Sequence, residues 1–228
     1  MKCLVADSSS IISLSSNCML WVLDKLRDTT GIQLIITPEI RREVVDKALM
    51  IEKFRLSGVR VLKRFGGGVI TVEESNPTLT KQLLEVANQV YSVKGSYYRI
   101  VSEGEIGLIP LAQAKKTNFM LIDERIVEKL INDPQRLRSI FENRLHMKVT
   151  LNKPKLKLFQ SLVKDVNIIK SSDLIAIAHE KGLLKEYIKE NYSTKTMKDF
   201  ISGALWGLKD NGCSISTNDI KEYMKILF

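Results

Sequence analysis

Short apolar runs alternate along the chain with stretches whose apolar residues recur every three or four positions. The runs are 3–7 (CLVAD), 33–37 (QLIIT), 69–73 (VITVE), 119–123 (FMLID) and 166–170 (VNIIK). Each is short and bounded by polar residues or glycine, which predicts a strand. Helices are expected between them. One covers 17–27, with Leu20, Leu23 and Leu26 on one side. The next runs through EIRREVVDKALMIEKF, with Thr37 as N-cap and Pro38 at the first helical position. Another spans roughly 78–93, a further one starts near Ser102, and SSDLIAIAHEKGLL forms a helix closed by Gly182. Strands separated by helices pair in parallel. The expected fold class is therefore α/β, three-layer α/β/α, around a mostly parallel sheet of about five strands. Such sheets bind ligands beyond the carboxyl ends of their strands, so the residues just after each run matter most.

Two regions depart from the alternation. Residues 132–164 read as an insertion made of a basic helix (PQRLRSIFENRL), a short strand (HMKVTL) and a lysine-rich linker (NKPKLKL). Residues 186–228 read as a helical C-terminal extension, KTMKDFISGALWGL and NDIKEYMKILF, split by the turn DNG. The main domain is thus expected over 1–185.

No run reaches the roughly 18 apolar residues of a membrane span, and MKCLVAD is too short for a secretory signal. A membrane location is not expected. Cys3, Cys18 and Cys213 are scattered and only His146 and His179 are present, which argues against a structural zinc site and fits a reducing cytoplasm. The net charge is +9. Residues 115–170 hold thirteen Lys and Arg against six Asp and Glu, so most of the excess sits in one segment. A concentrated charge makes a patch for a polyanion, with nucleic acid the first expectation. Arg136, Arg138, Arg144, Lys153, Lys155 and Lys157 are the candidate contacts to a nucleic-acid backbone, with a solvated surface as the competing reading.

Acidic residues stand at the positions the fold makes important. Asp7 ends the first run and Asp123 the fourth. Adjacent strands would bring the two carboxylates together, where they repel unless one is protonated or a cation is bound. Mg²⁺ or Mn²⁺ suits carboxylate and water ligands. Glu43 lies inside the second helix, and Glu105 shares a helical stripe with Leu108, Ile109 and Ala112. Each has a structural alternative. Asp7 can terminate a strand, and Glu43 can form an ion-pair rung between Glu39 and Lys47. Glu105 can close a capping box with Ser102, and Asp123 can cap the helix that follows it.

In order and setting, these segments resemble the PIN-domain nucleases. VADSSSIISL resembles the family's first strand with its acid and following serine, and RREVVDK the helix carrying the second acid. SEGEIGLIPLA resembles the G-E-x-x-A-I-x-L-A helix, MLIDER the strand usually ending in D-D, and IIKSSDLIAIAHEKGLL the last strand and helix. The resemblance covers about 1–131 and 165–185. It implies a PIN-like fold and an Mg²⁺- or Mn²⁺-dependent endoribonuclease acting on single-stranded RNA. Asp7, Glu43, Glu105 and Asp123 carry over as catalytic and metal-holding residues, with Ser9 as an accessory and Ser8 equally placed. In hydrolysis of this type two ions, about 4 Å apart, hold the scissile phosphate between them. The departures are Leu108 for a small residue, Pro110 inside the Glu105 helix and Glu124 in place of a second aspartate.

Other classes fit less well. A haloacid-dehalogenase-type phosphotransferase needs D-x-D, and Ser9 occupies the second position; Ala6 breaks the acid pair of a response-regulator receiver. The GGG at 66–68 lacks the GK[ST] of a P-loop. The alternative kept is a degenerate PIN-like domain that binds RNA or protein without catalysis. Phe200, Leu205, Trp206 and Leu208 form an apolar group for packing on the domain, on a twin subunit in a homodimer, or on an antitoxin-like protein partner.

Overall fold

The computed structural model describes residues 2–163, 166–191 and 193–228; the last residue of the expected insertion, 164, lies outside them. Among the described residues the strands are β1 (Cys3–Ala6), β2 (Gln33–Ile36), β3 (Ile70–Val72), β4 (Tyr91–Val93), β5 (Ser96–Tyr97), β6 (Phe119–Leu121), β7 (Val149–Leu151) and β8 (Asn167–Ile169). Five of them form one all-parallel sheet in the order β3-β2-β1-β6-β8, flanked by helices as a three-layer α/β fold. The chain builds outward from β1 through β2 to β3, then returns to the other side of β1. The reversal falls between β1 and β6, where Ala6 pairs with Leu121 and the Asp7 amide donates to Leu121 O at 2.9 Å. Beyond the carboxyl ends of these two strands lies the switch point where open α/β sheets take their ligands.

Several expectations change. Helix Ser8–Ser16 precedes the helix expected at 17–27, which itself runs Trp21–Thr30. The helix opened by Thr37 and Pro38 tightens and loosens along its length. Pro38–Arg41 is α-helical, Arg42–Lys47 is π-helical and Glu52–Phe54 is 3₁₀. The helix expected to 93 stops at Ala87. Asn88 ends it, because its side-chain carbonyl accepts from Ile100 N (2.7 Å) and Val101 N (3.1 Å). The chain then turns into the β4–β5 hairpin, whose two loop residues, Lys94 (φ 50°) and Gly95 (φ 83°), adopt the left-handed geometry of a tight turn. With β7 this hairpin makes a small antiparallel sheet. The segment read as a lysine-rich linker is helix Lys153–Leu162, capped by Asn152, with Phe159 buried.

The C-terminal helices, Thr194–Asp210 and Thr217–Leu227, pack on helix Ser171–Glu180 and contribute to the same apolar core as the sheet. Met197, Ile201, Leu205 and Leu208 are buried there, while Trp206 remains exposed. Of the expected tail cluster, Leu205 and Leu208 therefore pack internally, Phe200 is partly buried and Trp206 is open. A different apolar surface is open: Met50, Ile51, Phe54, Leu56, Val59 and Leu62 are all exposed. Among the described residues no helix is long and apolar enough to cross a membrane.

Candidate functional site

A cleft of about 180 Å³ opens at the switch point, lined by Asp7, Ser8, Ser9, Glu39, Glu43, Ser102, Gly104, Glu105 and Glu124 among others. Three of the four expected acids, Asp7, Glu43 and Glu105, reach it from different elements. The fourth, Asp123, does not line it, and its neighbour Glu124 does.

Asp7 immediately follows β1 and is the N-cap of helix Ser8–Ser16. Its Oδ2 accepts from Ser9 N at 3.1 Å and from Ser9 Oγ at 2.6 Å. Ser9 Oγ in turn accepts from Asp123 N at 3.2 Å, tying the ends of β1 and β6 together. Asp7 thus stands at the strand's end, as the structural reading expected, and it also caps a helix and lines the cleft. The Ser9 side chain holds it, the Ser8 backbone amide adds to the stabilisation of the carboxylate, and both serines line the cleft. Burial pushes the Asp7 carboxyl above its ordinary value. The Ser9 bonds oppose that shift and the Glu105 carboxylate adds to it. Desolvation outweighs the hydrogen bonds because Asp7 is only 5 % exposed.

Glu124 is the N-cap of helix Arg125–Asn132, and its Oε2 accepts from Ile126 N (2.7 Å) and Val127 N (3.2 Å). Burial raises its pKa as well, the two cap bonds lower it, and Glu105 and Asp7 raise it further. Glu105 forms the capping box with Ser102, whose N–H and hydroxyl both donate to Oε2 at 2.6 Å. Its helix, Glu103–Ile106, stops at Gly107, and a second helix, Leu108–Ala114, carries Pro110. Gly107 O has a stretched 3.4 Å bond from Leu111 N and a second bond from Ser75 Oγ at 2.7 Å. Glu43 projects from the π-helical turn. It is exposed, and the expected ion-pair rung is absent: Glu39 pairs with Arg42 at 2.9 Å and Asp46 with Arg41 at 3.0 Å. Among the described residues no lysine or arginine forms an ion pair with Asp7, Glu43, Glu105 or Glu124.

Asp123 is fully buried behind this surface. Its Oδ1 accepts from Ser171 N at 2.7 Å, the first amide of helix Ser171–Glu180, and Oδ2 accepts from Ser13 Oγ. A helix N-terminus stabilises an anion through its free N–H groups and dipole. The carboxylate is therefore satisfied by protein donors, and it caps helix Ser171–Glu180, not the helix that follows it in sequence. Cys213 lies against it, and burial, then Asp123, push its thiol up to about 12.

All the cleft's donors are hard oxygens of net negative charge, the set that suits Mg²⁺ or Mn²⁺. As the side chains stand, no group of three or more His, Cys, Asp or Glu among the described residues is arranged to hold a metal ion. The chemistry of the set fits a divalent cation, and closing on one requires side-chain rotation.

The expected nucleic-acid residues separate. Arg144 lines a cavity of about 520 Å³ next to Glu124, and Arg136 lines a second of about 640 Å³. Arg138 lies 3.9 Å from Glu142. Lys153, Lys155 and Lys157 ride on helix Lys153–Leu162, against helix Pro77–Ala87, and line neither cavity. Arg125, beside the cleft, and Lys209, in the tail, join Arg144 in the first cavity, and no local sequence signal marks Lys209 for that position. No model of a known protein family matches the chain, and no curated protein matches it at a significant level.

Proposed function

We propose that the protein is an endoribonuclease of the PIN-domain kind, hydrolysing phosphodiester bonds of single-stranded RNA at the Asp7–Glu105–Glu124 cleft with Mg²⁺ or Mn²⁺. One observation carries the reading. Carboxylates from separate elements line one cleft at the sheet's switch point, burial raises the pKa values of Asp7 and Glu124, with the neighbouring carboxylates adding to the shift, and among the described residues no lysine or arginine forms an ion pair with them. Such a cluster is costly unless something neutralises it.

The bound ion would supply charge neutralisation and a more acidic water. Ser9 fixes Asp7, and the backbone amides of Ile126 and Val127 fix Glu124, so both carboxylates are oriented before substrate arrives. Glu124 Oε1, outside the cap bonds, is the group to take the proton of the attacking water. Asp123 is not assigned a role in the chemistry; its proposed role is positional, holding helix Ser171–Glu180 against β6. The experiment is cleavage of a labelled single-stranded RNA in Mn²⁺ by wild type and by Asp7→Asn. Loss of cleavage in the variant supports the reading, and unchanged cleavage overturns it.

A second reading, a non-catalytic binding module, is favoured by the capping box, which already engages Glu105. Carboxylate-dependent Mn²⁺ binding separates the two.

A further inference from the structure

We infer that the cavity beside Glu124 is the track for the RNA backbone leaving the cleft, and that the C-terminal extension forms one of its walls. This rests on the nuclease reading for its substrate and extends it to a surface outside the acidic cluster.

The cavity of about 520 Å³ lies between helix Pro134–Leu145 and the turn joining the two tail helices. Glu124 lines both it and the acidic cleft, so the two adjoin at that residue. Their charges are opposite. The cleft is lined by five carboxylates and no lysine or arginine, whereas the cavity presents Arg125, Arg144 and Lys209 against the single carboxylate of Glu124. Among the described residues Arg125 and Arg144 have no hydrogen-bonding or ion-pair partner for their guanidinium groups. Lys209 is steadied by Thr217 Oγ1 at 3.2 Å and by the Trp206 ring, 4.7 Å away. Unpaired guanidinium groups match phosphate oxygens, which a fork of N–H donors binds in pairs.

A further sign is Ser214. Its buried Oγ has no hydrogen-bond partner, and the residue lines both this cavity and the next. The floor is apolar, with Ile126, Leu137, Ile140 and Ile215. A single strand can lay unstacked bases and riboses on such a floor, while the base faces of a duplex are stacked on one another. The second cavity carries Glu128, Asp133 and Asp219 beside its cations, so the positive track is concentrated in the first.

The test measures binding of a fluorescein-labelled single-stranded oligoribonucleotide by fluorescence anisotropy. It uses the full chain in EDTA, so that neither cleavage nor the metal contributes. Arg144→Ala and Lys209→Gln are expected to weaken binding, each lowering the slope of log K against log[salt] by about 0.7. Lys153→Ala and Lys157→Ala, outside the groove, are expected to leave it unchanged, and circular dichroism melting shows that each variant is folded. Wild-type affinity in both groove variants overturns the inference. So does an equal loss in the Lys153 and Lys157 variants, or tighter binding of a duplex of the same sequence. Because Asp7→Asn is read by cleavage and these variants by metal-free binding, a failure of the nuclease reading and a failure of this inference are told apart.

Discussion

Asp123 and Glu124 are consecutive, yet their carboxylates serve opposite sides of the same strand end. Asp123 turns inward to Ser171 N and Ser13 Oγ, and Glu124 turns outward over the cleft it shares with Asp7. β6 ends at Leu121, so both residues lie just past the strand, where Asp123 meets the start of helix Ser171–Glu180 and Glu124 caps helix Arg125–Asn132.

This division predicts a separation of effects. Asp123→Ala leaves a buried amide and hydroxyl without their acceptor and is expected to cost about 2–4 kcal/mol in chemical denaturation. Glu124→Gln keeps the shape of the side chain and is expected to change stability by less than about 1 kcal/mol while abolishing RNA cleavage. A large loss of stability from Glu124→Gln with cleavage intact would reverse the two roles.

Asp7 predicts a pH dependence. Its folded pKa lies above the unfolded value, so the folded state binds the proton more tightly and stability falls as pH rises through the folded pKa. Without divalent cations, Asp7→Asn is expected to melt at a higher temperature than wild type at pH 7. The gain should shrink on acidification and vanish below about pH 4, where Asp7 is protonated in both states. Thermal melts in EDTA across that range check the sign.

Glu105 is shared between Ser102 and the cleft. Ser102→Ala removes one side of the capping box and is expected to cost about 1 kcal/mol. It also frees one bond to Glu105 Oε2, so Mn²⁺ affinity measured by calorimetry should stay equal or rise. A fall in affinity would mean that Ser102 holds Glu105 in its working position.

The tail belongs to the core. Leu205→Ala is expected to destabilise the whole protein by about 2–5 kcal/mol in a single cooperative transition. Independent unfolding of the tail, with the rest of the melt unchanged, would contradict this.

Much of the fold was legible in the sequence because the five strands of the parallel sheet are short apolar runs and Thr37-Pro38 is a strong helix start. The misses have local causes. SSSIISLSS has low intrinsic helix propensity, and the cap from Asp7 helps it form a helix. VANQVYSV continues a helical pattern into β4, and only the long-range bonds of Asn88 end the helix. For the site, Asp7, Glu43 and Glu105 could be read from strand ends and helix position. The exchange of Asp123 for Glu124 could not, since it depends on a helix start that arrives from residue 171. Lys209 joins the groove only through tertiary packing.

The central claim is that Asp7, Glu105 and Glu124 form one cation site. The most direct measurement is an Mn²⁺ titration followed by electron paramagnetic resonance, comparing wild type with Asp7→Asn, Glu124→Gln and Asp123→Asn at neutral pH. The account predicts saturable binding by wild type and by folded Asp123→Asn, with binding lost in Asp7→Asn and Glu124→Gln. No binding by wild type, or binding unaffected by Asp7→Asn and Glu124→Gln, would contradict it.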